Sequence, residues 1–344
     1  MKKTAFTFSK QTTTYYLGAS WADFKEVTAD RRTVLVTDEN VFRHHREKFE
    51  GWEYLIIPAG EKFKQQSTVD RLIQQLIELE ADRSTLLVGA GGGVVTDITG
   101  YVASIYLRGI AFGFVPTTLL AMVDAANGGK NGVDVGRYKN LAGTINQPEF
   151  LFFDLKFLST LPVNEFNNGC AEMIKHACIR DVSLFHLLSG TTPQQWRTDP
   201  MLLAELVEKN VVLKSQLVQE DEFEKGDRAL LNFGHTIGHA IETAFSMMHG
   251  EAISIGMVMA LRLSEKYFQL PATESEKVIG LLRACDLPVD IPATIDQALH
   301  LIRMDKKRKG EYIRFVLLKE IGRAKTHLLP VNELDSIIKA IPIN

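Results

Sequence analysis

The first half of the chain alternates short β-branched, apolar runs with stretches of helical period, and that alternation restricts it to a parallel α/β sheet. Thr33-Val-Leu-Val-Thr37, Tyr54-Leu-Ile-Ile57, Thr85-Leu-Leu-Val-Gly89 and Phe112-Gly-Phe-Val-Pro116 read as strands. Between the second and third, Thr68 to Leu79 carries Val69, Leu72, Ile73, Leu76 and Leu79, a helical stripe that packs on a sheet. Beyond Phe150-Leu-Phe-Phe-Asp154 the helical period dominates, and Met201 to Val218, Arg228 to Phe245, Glu251 to Tyr267 and Glu274 to Ala284 read as helices. A chain of 344 residues exceeds the usual reach of one core. The expected organisation is a Rossmann-like parallel-sheet domain over 1–158 and a mainly α-helical domain over 159–344, with the active site in a cleft between them.

A formal net charge of -3 gives no long-range attraction to nucleic acid or an anionic membrane, so neither partner is expected. Anionic ligands must be met by local cations. Cys170, Cys178 and Cys285 lack the paired spacing of a disulfide framework or a cysteine-rich zinc module, which points to a reducing cytoplasm. The start of the chain is too polar for a signal-peptide core, and there is no apolar run of about eighteen residues.

The third strand runs into Ala90-Gly-Gly-Gly93 and then Val94 to Gly100, a helix start. Glycines at such a junction let backbone amides approach a phosphate, and the helix dipole favours the anion. The spacing is not the familiar G-x-G-x-x-G, and a tight turn without ligand uses the same residues. Thr37-Asp-Glu-Asn40, Pro58 to Lys64 and Pro116-Thr-Thr118 also follow strands, at the carboxyl ends where open α/β sheets bind ligands. An acidic side chain after the first strand suits ribose hydroxyls.

Leu231-Asn-Phe-Gly-His-Thr-Ile-Gly-His239 and His249-Gly-Glu-Ala bring together three of the nine histidines. His235 and His239 stand four apart and share a helix face. Glu172, in the small, apolar setting of Gly169 to His176, offers a carboxylate for a two-histidine, one-carboxylate site; three protein ligands with an open position describe a catalytic zinc-like centre. Histidines satisfied within a core are the plain alternative. Lys175 shares a helix face with Glu172. The segment Val123 to Asp134, followed by Arg137 to Gly143, reads as a polar loop whose Lys130, Lys139 and Asn140, with Arg108, are donors for an oxygen-rich anion.

Taken in order, Gly91-Gly-Gly-Val-Val-Thr-Asp97, Tyr106-Leu-Arg-Gly, Pro116-Thr-Thr-Leu-Leu-Ala, Gly128-Gly-Lys, Lys139-Asn-Leu, Ala171-Glu-Met-Ile-Lys, Leu231 to Glu242 and His249-Gly-Glu-Ala resemble the 3-dehydroquinate synthase family from about Asp38 to Lys307. The resemblance implies an enzyme that converts 3-deoxy-D-arabino-heptulosonate 7-phosphate to 3-dehydroquinate and phosphate, with NAD returned unchanged and one divalent metal, zinc or cobalt. It implies Glu172, His235 and His249 as metal ligands, with His239 an active-site histidine outside the ligand set. Asp38, Asn40, Glu61, Lys64, Gly91, Gly92, Gly93, Asp97, Thr117, Thr118, Asp124, Lys139 and Thr160 correspond to residues bordering NAD. Lys130, Asn140, Asn232, His239 and Lys306 or Lys307 match phosphate contacts, and Lys214 and Arg228 match carboxylate binders, with Glu224 in the same segment. Lys175 and His239 are the proton-handling candidates, and Arg108 resembles a residue that reaches across a homodimer interface.

Several positions depart from the usual family pattern: Thr96 stands where glycine is common, and Ala125, Ala126, Asn127, Asn131 and Asp134 replace the residues usual around the Gly-Gly-Lys element. They leave Asp124 and Lys130 in place, so altered cofactor contacts are expected. Related readings are another sugar phosphate cyclase, a metal-dependent polyol dehydrogenase and a non-catalytic NAD-binding protein. Arg228, Asn232 and the Asp305-Lys-Lys307 turn favour the dehydroquinate branch.

Overall fold

The computed structural model describes the chain except residues 137, 293, 307–309 and 340–344, and outside its description also lie the side chains of 303–306, 335, 338 and 339. The chain divides into two units, one of residues 1–166 and 210–223 and the other of 167–209 and 224–344.

The first unit is built on strands β1 (Lys2–Thr7), β2 (Thr12–Leu17), β3 (Thr33–Asp38), β4 (Glu53–Ile57), β5 (Leu86–Gly91), β6 (Phe112–Pro116), β7 (Lys130–Val135), β8 (Tyr138–Ile145) and β9 (Phe150–Phe152). Seven of them form one sheet in the order β1-β2-β9-β6-β5-β3-β4. Only β1 and β2 pair antiparallel in it. The four strands expected from the sequence are contiguous, β6-β5-β3-β4, and end the sheet with β4 at its edge. The inner three are apolar with little alternation because helices cover both faces of a parallel sheet. Residues 33–37 and all of β5 and β6 are buried. Leu35, Val88, Ala90, Val115, Phe150 and Phe152 join Phe24 and Phe157 in one core, with Trp21 stacked on Phe24 at 4.5 Å. The Gln66–Glu78 helix buries Val69, Leu72 and Leu76 of the predicted stripe, with Ile73 and Leu79 half-buried.

The segment after Val123 departs from the expected open loop. It begins in a π-helical turn, Ala121–Ala125, and continues as the separate antiparallel hairpin of β7 and β8. Glycines 132 and 143 face each other there because no side chain fits: a Cβ on Gly143 would stand 2.1 Å from the Asn131 carbonyl oxygen.

The helices of the second unit include Val163–Arg180, Pro200–Glu220, His235–Phe245, His249–Phe268 and Ala272–Ala284, with residues 163–166 and 210–223 counted in the first unit. The antiparallel pair β10 (Tyr312–Glu320) and β11 (Arg323–Pro330) was not foreseen. The helix expected over Arg228 to Phe245 is two pieces: a 3-10 turn at Asp227–Asn232, then the His235–Phe245 helix. Gly234 separates them at φ 79°, a left-handed conformation that excludes helix continuation and favours glycine. His235 therefore opens a helix instead of sitting within one. No described helix is long and apolar enough to cross a membrane.

Candidate active site

In the first unit, β5 runs through Gly91 and the Gly93–Ile105 helix follows at once, with Gly92 as an N-cap that offers no side-chain hydrogen bond. A Cβ on Gly91 would stand 2.4 Å from Val95 Cγ2, so only glycine permits this entry. The first helical amides lack intrahelical partners and a capping side chain, which is the arrangement that suits a phosphate. Thr117 N donates to Gly91 O at 2.9 Å, which brings Pro116-Thr-Thr118 beside the glycine turn. Thr118 Oγ1 accepts from Ala121 N at 3.1 Å. Thr96 is buried, and its hydroxyl donates back to Gly93 O at 3.1 Å, so the departure from glycine is satisfied inside the helix.

Lys64 is buried, pairs with Asp97 Oδ2 at 2.5 Å and donates to Asn140 Oδ1 at 2.6 Å. Burial alone would lower its pKa, but the Asp97 and Glu61 carboxylates hold it above the ordinary lysine value. Lys139 approaches Glu61 at 3.4 Å. Lys214 is also buried and meets Asp124 twice, at its carboxylate (2.8 Å) and its carbonyl (2.7 Å). Asp38 caps the Glu39–His44 helix by accepting from Asn40 N and Val41 N, so its carboxylate already has local work. Thr160 shares a 2.7 Å hydrogen bond with His45. Asn40, Arg108, Lys130, Asn140 and Thr160 are exposed.

In the second unit, Glu172 lies fully buried on the Val163–Arg180 helix with Lys175 one turn on, and the two form an ion pair. His235 Nε2 stands 3.5 Å from Glu172 Oε1, and His249 Nε2 stands 3.4 Å from the same oxygen. Donor atoms of the three residues all lie within 4.8 Å of one another. With metal–ligand bonds of about 2.0–2.2 Å, donors at neighbouring corners of a tetrahedron stand about 3.3–3.6 Å apart, so the set fits a divalent ion.

The other ring nitrogens are tied down, as metal-binding imidazoles require. His235 Nδ1 lies 3.1 Å from Phe233 O, and His249 Nδ1 lies 3.4 Å from Glu242 Oε2. Burial, reinforced by the Lys175 charge, holds His235 well below its usual pKa, leaving it neutral and able to ligate. Burial also works downward on His249, yet hydrogen bonds to Glu172 and Glu242 raise it to about 9. His239, Glu242 and His249 offer a second close donor set. That set is the more open one, since His239 is exposed.

Glycines let these helices meet. A Cβ on Gly256 would lie 2.0 Å from Gly234 O, and one on Gly250 would lie 2.2 Å from Asn168 O. Asn168 Oδ1 in turn accepts from Gly250 N at the start of the helix that carries His249. Arg228 is buried, and Asn232 Nδ2 donates to Glu224 Oε1 at 2.5 Å. The Lys306 side chain and Lys307 lie outside the described residues. Sequence reasoning missed Glu242 as the partner of His249. It stands at i+7 from His235 and i+3 from His239, so the helical period could have found it.

The family description "3-dehydroquinate synthase N-terminal" matches residues 54–168, and "3-dehydroquinate synthase C-terminal" matches 169–308. A 3-dehydroquinate synthase of Campylobacter concisus is 43% identical over 272 residues, 78% of this chain and 77% of the relative. One from Synechococcus is 38% identical over 338 residues, 94% and 92% of the two chains. Among solved structures, the 2-epi-5-epi-valiolone synthase of Streptomyces hygroscopicus, with NAD+ and Zn2+ bound, superposes with a TM-score of 0.87 at 26% identity, covering 99% of each chain.

Proposed function

The chain belongs to the 3-dehydroquinate synthase family, and on that premise we propose that it converts 3-deoxy-D-arabino-heptulosonate 7-phosphate to 3-dehydroquinate and phosphate, as a phosphorus–oxygen lyase. The observation that carries the reading is the meeting of Glu172, His235 and His249 at distances that suit one divalent ion. The glycine turn at Gly91 to Gly93 suits the dinucleotide phosphates. When bound, NAD supplies reversible hydride acceptance and the zinc or cobalt ion acidifies substrate hydroxyls.

The residues around these groups then have definite work. Glu242 and the Phe233 carbonyl orient the two imidazoles so that each Nε2 faces Glu172. Lys175 keeps a positive charge against the buried Glu172 carboxylate, and with His239 is the group we assign to proton handling. Lys64 and Asp97, with Asp38, Asn40, Glu61, Thr117, Thr118, Asp124, Lys139 and Thr160, are assigned to the dinucleotide. Lys130, Asn140, Asn232 and His239, with Lys306 or Lys307, are assigned to the phosphate, and Lys214 and Arg228 to the carboxylate, with Glu224 holding Asn232. A dense set of donors is what a reaction dominated by positioning needs, where alignment supplies about 7–11 kcal/mol. We further propose a cytoplasmic homodimer with Arg108 directed to the partner; the three cysteines, all free and buried, suit a reducing compartment.

The test is an assay of purified protein with the heptulosonate phosphate, catalytic NAD and a divalent cation. Stoichiometric phosphate without net NADH, abolished by chelator, is the expected result. NADH accumulating in proportion to product would instead identify a dehydrogenase.

A further inference from the structure

Asp134 lies at an irregularity of the β7–β8 hairpin, where the register shifts between Val133 and Val135. Its amide donates to Lys64 O at 2.8 Å, and its carboxylate Oδ1 accepts from Asn140 N at 2.7 Å. The Asn140 side-chain oxygen accepts from Lys64 Nζ at 2.6 Å, which returns the path to its starting residue. The ring thus joins Lys64, Asp134 and Asn140, and Asp97 is attached to it through Lys64 at 2.5 Å.

Asn140 sits in this ring at φ 52°, a left-handed conformation that asparagine adopts more readily than other side-chain-bearing residues, especially where a local hydrogen bond holds it. A carboxylate accepting the Asn140 amide is a strong local anchor for that conformation. The same conformation turns the Asn140 side chain toward Lys64. Asp134 touches neither the glycine turn nor the candidate metal ligands in any described contact.

We infer that Asp134 is a positioning residue that couples cofactor and substrate binding, by fixing the backbone of Asn140 and thereby the ammonium of Lys64. The inference rests on the proposed function for the assignment of Lys64 to the dinucleotide and Asn140 to the substrate. Its physical core is the acceptor role of the Asp134 oxygen, which asparagine can keep and alanine cannot.

The experiment compares D134A and D134N with the unaltered protein. Three quantities are measured: NAD affinity by direct titration, substrate KM and kcat, and amide exchange of the 138–141 segment. In D134A, NAD affinity falls and KM rises by about tenfold each, as expected for one lost hydrogen bond to a charged group, with a smaller change in kcat. Exchange over 138–141 accelerates in parallel. D134N stays within about twofold on every measure because its side-chain carbonyl still accepts from Asn140 N. A D134A protein of unchanged circular dichroism with unaltered NAD affinity, KM and exchange would overturn the inference. So would a D134N protein impaired as much as D134A. Absence of NAD binding and turnover in the unaltered protein refutes the proposed function instead, while the exchange comparison still decides the role of Asp134.

Discussion

Substituting Gly256 by alanine separates the two helices that carry the candidate histidine ligands. The added methyl would stand 2.0 Å from Gly234 O, 2.9 Å from Gly234 C and 3.0 Å from Gly238 N, all backbone atoms that no rotamer change can move. Relief requires the helix bearing His235 to shift by about 1 Å from the helix bearing His249, and overpacking of this kind costs about 1–3 kcal/mol. Moving one ligand's support relative to another lowers metal affinity by about 10- to 100-fold. Gly280 is the internal control: it lies within the Ala272–Ala284 helix, and a Cβ there meets nothing within 4 Å. Gly280→Ala should leave metal binding alone and stabilise the fold by about 0.5–1 kcal/mol, the helical cost of glycine relative to alanine. Denaturant unfolding and zinc competition against a chelator read both quantities. If Gly256→Ala matches Gly280→Ala in stability and zinc affinity, the glycine-dependent approach of the two helices does not set the ligand geometry.

Metal affinity should also climb with pH. His249 without metal holds its proton up to about pH 9, so an ion must displace that proton at neutral pH. Apparent affinity is expected to rise about tenfold per pH unit from 7 toward 9 and then level; a flat profile by competition titration contradicts the Glu172 and Glu242 hydrogen bonds. Gly91→Ala should weaken NAD binding by at least about tenfold, since a Cβ 2.4 Å from Val95 forces the glycine turn open, and unchanged affinity in a fluorescence titration would deny that turn a phosphate role. Glu242→Ala removes the support of His249 Nδ1 and should lower zinc affinity by about 10- to 100-fold, whereas an unaltered value would make Glu242 a bystander.

How much of this was legible in the sequence depended on distance along the chain. The central strands were readable because a parallel sheet covered on both faces needs unbroken apolar runs, and Leu86 to Gly91 and Phe112 to Pro116 supply them. The β7–β8 hairpin was not, because no residue of Tyr138–Ile145 is buried, so there is no apolar face to mark the strand period among its glycine, lysine and asparagine. The single helix drawn through Gly234 failed for a local reason that was present in the sequence, a glycine free to adopt positive φ. The residues alone nominated Glu172 with two of the three histidines, and helix periodicity favoured His239 beside His235; the family resemblance put His249 in its place, because spacing cannot rank residues from separate segments. Lys64 and Asn140 were nominated singly, and their union through Asp134 depends on a strand irregularity that no pattern of residue types announces.

The most direct measurement is anomalous diffraction at the zinc edge from crystals of the zinc-loaded protein. The account predicts one peak within bonding distance, about 2.0–2.2 Å, of a Glu172 oxygen and of Nε2 in His235 and His249. A peak held by His239 and Glu242, or no peak near Glu172, would contradict it.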